Sequence, residues 1–241
     1  DQSPIKKLCR NPINVIPRKT KWRAVERLSI MKLKQLEGIL GDLQQFSNPK
    51  IELEQYPTGP HIASRILYTA ENSFGDVENK VVADFGCGCG TLAAAAALMG
   101  ADHVIGIDID PESLEIAVSN AEALELNVDY ILGDIRKSAL KGNAVDTVVM
   151  NPPFGTRNKG VDMEFLSKAL QIASGAVYSL HKTSTRDHIK RVALQKLCAG
   201  TAEVICELRY DVAQLYKFHR KKEVDIAVDL WRFTPKLHDK T

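Results

Sequence analysis

The longest uninterrupted apolar run in this 241-residue chain, Leu92 to Met99, is short. A membrane-crossing helix needs ~20 such residues, so no transmembrane protein is written here. Cysteine is scarce. Cys9, Cys87, Cys89, Cys198 and Cys206 form an odd set without any C-x-x-C clamp. That argues against a disulfide framework or a zinc ribbon, and suits a reducing compartment. Internal repeats and low-complexity segments are also missing. What is present, 44% hydrophobic and 26% charged residues, is the composition of an ordinary globular domain with enough apolar material for a core.

The net charge of +2 conceals an asymmetry. Residues 1–30 carry eight lysines and arginines against Asp1 and Glu26, a net +6, which leaves −4 on the remainder. We read residues 1–30 as a flexible basic arm, with nucleic-acid contact or an organellar address as alternative uses. Residues 31–241 read as one domain.

That domain begins with a helical lead-in. Leu33, Leu36, Leu40 and Leu43 recur at helical spacing from Met31 to near Phe46. Ile51 to Thr58 is extended, and His61 to Thr69 is helical. Regular alternation follows. Strands are expected at Lys80–Asp84, His103–Asp108, Val128–Leu132, Val145–Met150 and Val177–Leu180, with helices between them. The helix after the second strand opens with Asp110 as N-cap and Pro111 at its first position. Another runs from Asp162 to Ser174. Ser184 with Asp187 suggests a capping box for a helix reaching Cys198. Glu203–Tyr210 and Val224–Phe233 close the chain as two strands with no helix between, so the last should turn back antiparallel. The pattern is α/β, a doubly wound, mostly parallel sheet.

Ligands of such sheets bind outside the carboxyl ends of the strands. Asp84, Asp108, Asp134 and Asn151 all fall there, and Gly86-x-Gly88-x-Gly90 follows the first strand. A dinucleotide fingerprint would carry glycine where Thr91 stands, and Asp84 would repel a phosphate. S-adenosylmethionine has no phosphate but carries an ammonium and a sulfonium, which a carboxylate suits. Asp108, 22 residues beyond Gly86, is placed to accept from a ribose diol, and Asp134 from an adenine amino group. Cys87 and Cys89 have no partner pair, so no metal is expected.

Asn151-Pro152-Pro153-Phe154 leaves the fourth strand directly. An exocyclic amine is a poor nucleophile because its lone pair is delocalised. The Asn151 side-chain carbonyl and the Pro152 backbone carbonyl, aimed at its two hydrogens, would favour a pyramidal nitrogen. The prolines would hold both acceptors still, and Phe154 would offer a face to a flipped-out base.

With these residues in view, a resemblance is evident. Asp84-Phe-Gly-Cys-Gly-Cys-Gly-Thr-Leu92, Asn151-Pro-Pro-Phe-Gly-Thr156, Tyr178-Ser-Leu-His-Lys182, Tyr216-Lys-Phe-His219 and Glu54-Gln-Tyr-Pro-Thr58 resemble the eukaryotic methyltransferase-like protein five family. The resemblance covers about Leu33 to Phe233. It implies a Rossmann-like class I methyltransferase that modifies N6 of one adenosine in small-subunit (18S) ribosomal RNA, in nucleus and cytoplasm. It further implies cofactor contacts from Gln55, Thr58, Gly86, Cys89, Thr91, Asp108, Asp134 and Ile135. It also implies a small zinc-binding activator subunit as obligate partner. The third strand, Val128 to Leu132, would be an exposed edge able to pair with it.

The last two strands are joined by Tyr216-Lys217-Phe218-His219-Arg220-Lys221-Lys222, in which cations alternate with aromatics. This loop is the expected RNA contact, with cations on phosphate and rings on unpaired bases. Two alternatives stay open: a glutamine N5-methyltransferase of the release-factor type, and a non-catalytic RNA-binding scaffold.

Overall fold

The computed structural model describes residues 31–137, 140, 142–213 and 223–236. The basic arm at 1–30 and the loop at 217–222 expected to contact RNA lie outside the described residues.

Seven strands form one sheet: β1 (Val81–Phe85), β2 (His103–Asp108), β3 (Val128–Leu132), β4 (Val145–Met150), β5 (Ala173–Lys182), β6 (Ala199–Ala213) and β7 (Glu223–Pro235). Their spatial order is β3-β2-β1-β4-β5-β7-β6. β1 to β5 pair in parallel, and β7 is antiparallel to both β5 and β6, as the missing last helix implied. β6 therefore runs with the parallel strands and forms one edge, while β3 forms the other. Central strands are apolar on both faces because both are covered. On β1, Val82 faces one core and Ala83 and Phe85 the other. Helices α1 (Leu33–Gly41), α2 (Pro60–Phe74), α3 (Thr91–Leu98) and α4 (Pro111–Ala123) pack over the first face. Helices α5 (Val161–Ile172) and α6 (Arg186–Gln195) pack over the second.

Three expected boundaries change, two of them for tertiary reasons. The first helix stops at Gly41, not near Phe46, because buried Asn120 takes the next residues out of the helix. Its Oδ1 accepts from Gln44 N at 2.9 Å, and its Nδ2 donates to Gln44 O at 2.9 Å. The second helix continues past Thr69 to Phe74, where Gly75 at φ 67° ends it and its amide donates to Glu71 O. The capping box at Ser184 does not form. Thr183–Thr185 make a 3₁₀ turn, since Thr183 Oγ1 donates to Asp229 at 2.9 Å and Arg186 binds the same buried carboxylate.

Gly106, inside β2, marks a close approach. A methyl added there would stand 2.6 Å from Cδ1 of Tyr130, a ring 2% exposed and unable to retreat. Gly106→Ala should therefore cost about 1–3 kcal/mol, read as a lower urea midpoint. A variant as stable as the parent would mean that β2 and Tyr130 do not meet this closely.

Candidate active site

The parallel strands deliver their carboxyl ends to one rim, and a cleft opens there. Asp84, the glycine turn, Asp108, Asp134, Ile135, Asn151 and Pro153 line it, and Gln45, Phe46 and residues 52–58 form another wall.

The glycine turn is shaped by contact from both sides. Gly86, Gly88 and Gly90 have φ of 67°, 52° and 81°, a region that disfavours other residues. A methyl on Gly88 would meet Phe46 Cζ at 2.9 Å, and one on Gly86 would meet Phe165 Cε1 at 3.3 Å. The turn is thus gripped between the lead-in segment and α5. Cys89 is buried within it, its carbonyl accepting from Asn120 Nδ2, and burial pushes its thiol up to about 12. It is a neutral packing group. Thr91 opens α3, and its Oγ1 accepts from Gln45 Nε2 at 3.4 Å.

Asp84 is 1% exposed. Its Oδ2 accepts from Ala93 N at 2.9 Å, whereas its Oδ1 is buried and has no hydrogen-bond partner among the described residues. Burial pushes this carboxyl up to about 8, and the neighbouring Asp108 charge adds to the rise. An orphaned acidic oxygen in a cleft wall is what a cationic ligand would satisfy, so these residues fit a donor that carries an ammonium. Asp108 is held by amides: Oδ2 accepts from Gly88 N at 2.8 Å and Oδ1 from Asp110 N at 2.9 Å. Burial raises its pKa as well. Asp134 is different. Both of its oxygens already bind the Arg136 guanidinium at 2.8 Å, and that partner lowers its pKa. An adenine amino group must share this carboxylate with Arg136, or displace it.

The expected contact from Gln55 takes another form. Its Nε2 donates to Asp110 Oδ2 at 2.7 Å and to Ser113 Oγ at 3.1 Å. Asp110 caps α4 as read, accepting from Glu112 N, and it also receives Lys50 Nζ at 2.5 Å. Gln55 lines the cleft while latching its wall to α4.

At the end of β4, the Asn151 side-chain amide pairs with Thr58, its Nδ2 donating to Oγ1 at 3.0 Å. Pro152 is buried and Pro153 faces the cleft. Phe154 is not an open platform. Its ring is 8% exposed and stacks on Tyr56 with centroids 5.9 Å apart, so it braces the corner from behind. Lys182 Nζ lies 6.0 Å from the same ring. Glu54, Tyr56, Lys50 and Phe165 went unassigned from sequence. The only signal for the first two was the motif that contains them.

A profile of the methyltransferase small domain matches residues 60–180. The rRNA N(6)-adenosine-methyltransferase METTL5 of Danio rerio is 53% identical over 208 residues, which are 85% of this chain and 100% of that protein. This chain belongs to the METTL5 family. The Drosophila melanogaster member is 45% identical, with 84% of this chain and 96% of that protein covered. Among solved structures, that of PH1948 from Pyrococcus horikoshii superposes with a TM-score of 0.74 at 34% identity, covering 86% of this chain and 98% of that one.

For a METTL5-family chain, the Asp84 pKa has a measurable consequence. A carboxyl raised from 3.8 to about 8 stabilises the ligand-free fold fully below its unfolded value, and that contribution falls as pH rises from there and is lost above about 8. Binding a cation favours the charged form. Titration with S-adenosylmethionine at pH 7, in buffers of different ionisation heat, should release up to about one proton. Asp84→Asn should bind more weakly and lack that release. An identical release from Asp84→Asn would place the titrating group elsewhere.

Proposed function

We propose that this chain methylates N6 of an adenosine in small-subunit ribosomal RNA, with S-adenosylmethionine as donor. One observation carries the reading: Asn151, its amide oriented by Thr58, shares a cleft with the orphaned oxygen of Asp84. When bound, S-adenosylmethionine supplies a methyl group carried on a positive sulfonium.

Asp84 would hold the ammonium, Asp108 the ribose hydroxyls, and Asp134 the adenine edge, with Ile135 packed beside it. The main task of the protein is then to localise the lone pair of the acceptor amine. Asn151 Oδ1 and the Pro152 carbonyl would accept one N–H each, drawing the nitrogen toward a pyramidal shape with its lone pair toward the methyl. Pro152 and Pro153 keep those acceptors from relaxing, so catalysis comes from orientation more than from acid–base exchange. The surplus proton can leave to water after transfer.

The ribosomal RNA partner would meet Lys217, Phe218, His219, Arg220, Lys221 and Lys222. β6 is parallel to β1–β5, so the strand leading into that loop ends on the rim that holds Asn151. A small zinc-binding activator subunit would extend the sheet at β3, which pairs only with β2 among the described residues. Nucleus and cytoplasm are the compartments that such a substrate implies.

Radiolabelled methyl transfer to small-subunit rRNA, with and without the activator subunit, followed by nucleoside analysis, tests this reading. Label is expected in N6-methyladenosine. Label on protein glutamine would support the release-factor type instead. Asn151→Ala should lower transfer by about 100-fold or more, while S-adenosylmethionine affinity stays within about twofold. Undiminished transfer by that variant would contradict the mechanism.

A further inference from the structure

Glu54 has no part in the mechanism above, yet it is one of the more heavily engaged carboxylates in the structure. It is 5% exposed and sits in the left-handed region at φ 51°, ψ 43°, an unusual place for a residue with a side chain. Its Oε1 accepts from the backbone amide of Arg157 at 2.8 Å, and its Oε2 from that of Thr156 at 3.2 Å. Oε2 also receives the Tyr56 hydroxyl at 3.2 Å. Tyr56 in turn stacks on Phe154. These partners together bracket the segment that follows Pro153, and Gly155 at φ 69° supplies the bend between them.

Two proline rings stiffen Asn151 to Pro153, but nothing covalent restrains the chain beyond Phe154. A loop leaving a catalytic turn can pull that turn out of register. Glu54 closes this route. It ties down two consecutive N–H groups with charge-assisted bonds, and such bonds are stronger than neutral ones. The Arg157 amide lies 103 residues away in sequence, so the tie is tertiary and not part of a local turn.

We propose that Glu54 is a positioning residue for methyl transfer, clamping the amides of Thr156 and Arg157 so that the Asn151–Phe154 corner keeps its acceptors aimed. The inference rests on the reading of that corner as catalytic. It concerns kcat more than donor binding, because Glu54 lines the cleft but its carboxylate oxygens are taken up by the loop amides and Tyr56. The neighbouring side chains of Gln55 and Thr58 make the contacts to Asp110 and Asn151.

The test uses the full chain with its activator subunit, compares Glu54→Ala, Glu54→Gln and Asn151→Ala, and reads three quantities. These are kcat on rRNA, the dissociation constant for S-adenosylmethionine, and amide hydrogen exchange across residues 154–159. Glu54→Ala should lower kcat by about 10–100-fold, since small misplacements of reacting groups cost that much. Donor affinity should stay within about threefold, and exchange at 156 and 157 should quicken. Glu54→Gln keeps one acceptor oxygen and should recover most of the lost kcat. Full kcat in Glu54→Ala would overturn the proposal, as would a loss of donor affinity as large as the loss of kcat, or no rescue by glutamine. If Glu54→Ala does not fold, Tyr56→Phe, which removes only the hydroxyl bonded to Glu54, should lower kcat more mildly with unchanged donor affinity. Unchanged kcat there would count against the clamp. Asn151→Ala separates the two ideas. Full transfer by that variant would sink the catalytic reading itself, whereas loss of transfer together with a fully active Glu54→Ala would sink only the role of Glu54.

Discussion

Five consecutive residues, Glu54 to Thr58, hold the two halves of the site together. Gln55 reaches toward α4 and binds Asp110, which also anchors Lys50. Glu54, Tyr56 and Thr58 reach the other way, to the amides of Thr156 and Arg157, the ring of Phe154 and the side chain of Asn151. Without this peptide the carboxyl ends of β1, β2 and β4 would still share a rim, but the wall opposite them would be missing. The sheet sets where the acids and Asn151 emerge. The pentapeptide sets how they face one another.

Electrostatics add a second constraint. Asp84, buried, and Asp108, half-buried, are near neighbours, and desolvation pushes both pKa values upward. A folded protein tolerates such a pair only at some cost, because among the described residues neither carboxyl has an ion-pair partner and amide donors supply the compensation. Asp134 shows the contrast, because Arg136 neutralises it and lowers its pKa. The cleft therefore has one end starved of positive charge and another already supplied. A donor with its cation at one extremity and a neutral heterocycle at the other matches that gradient.

Much of this was legible in the residues. The strand ends carrying Asp84, Asp108 and Asn151 follow from short apolar runs closed by polar residues, and the glycine turn from its spacing. Most of what could not be read has long-range partners. Asn120, 76 residues from Gln44, ends the first helix early. Asp229, 46 residues from Thr183, overrides the capping pattern at Ser184. Phe154 looks like an open face in sequence because nothing local announces that Tyr56 covers it. Glu54 stood inside a motif already noticed, but its purpose becomes readable only once Arg157 is brought beside it.

The central claim is that the Glu54–Thr58 peptide, tied to Asp110 of the donor cleft on one side and to the Asn151 corner on the other, keeps donor and acceptor in mutual register. A crystal structure with adenosine, its N6 amine unmodified, and a non-transferring analogue of S-adenosylmethionine that keeps the ammonium tests it most directly. The account predicts N6 within about 2.7–3.2 Å of both Asn151 Oδ1 and Pro152 O, with the donor ammonium within the same distance of Asp84 Oδ1. An N6 hydrogen-bonded to other groups, with Asn151 turned from the cleft, would contradict it.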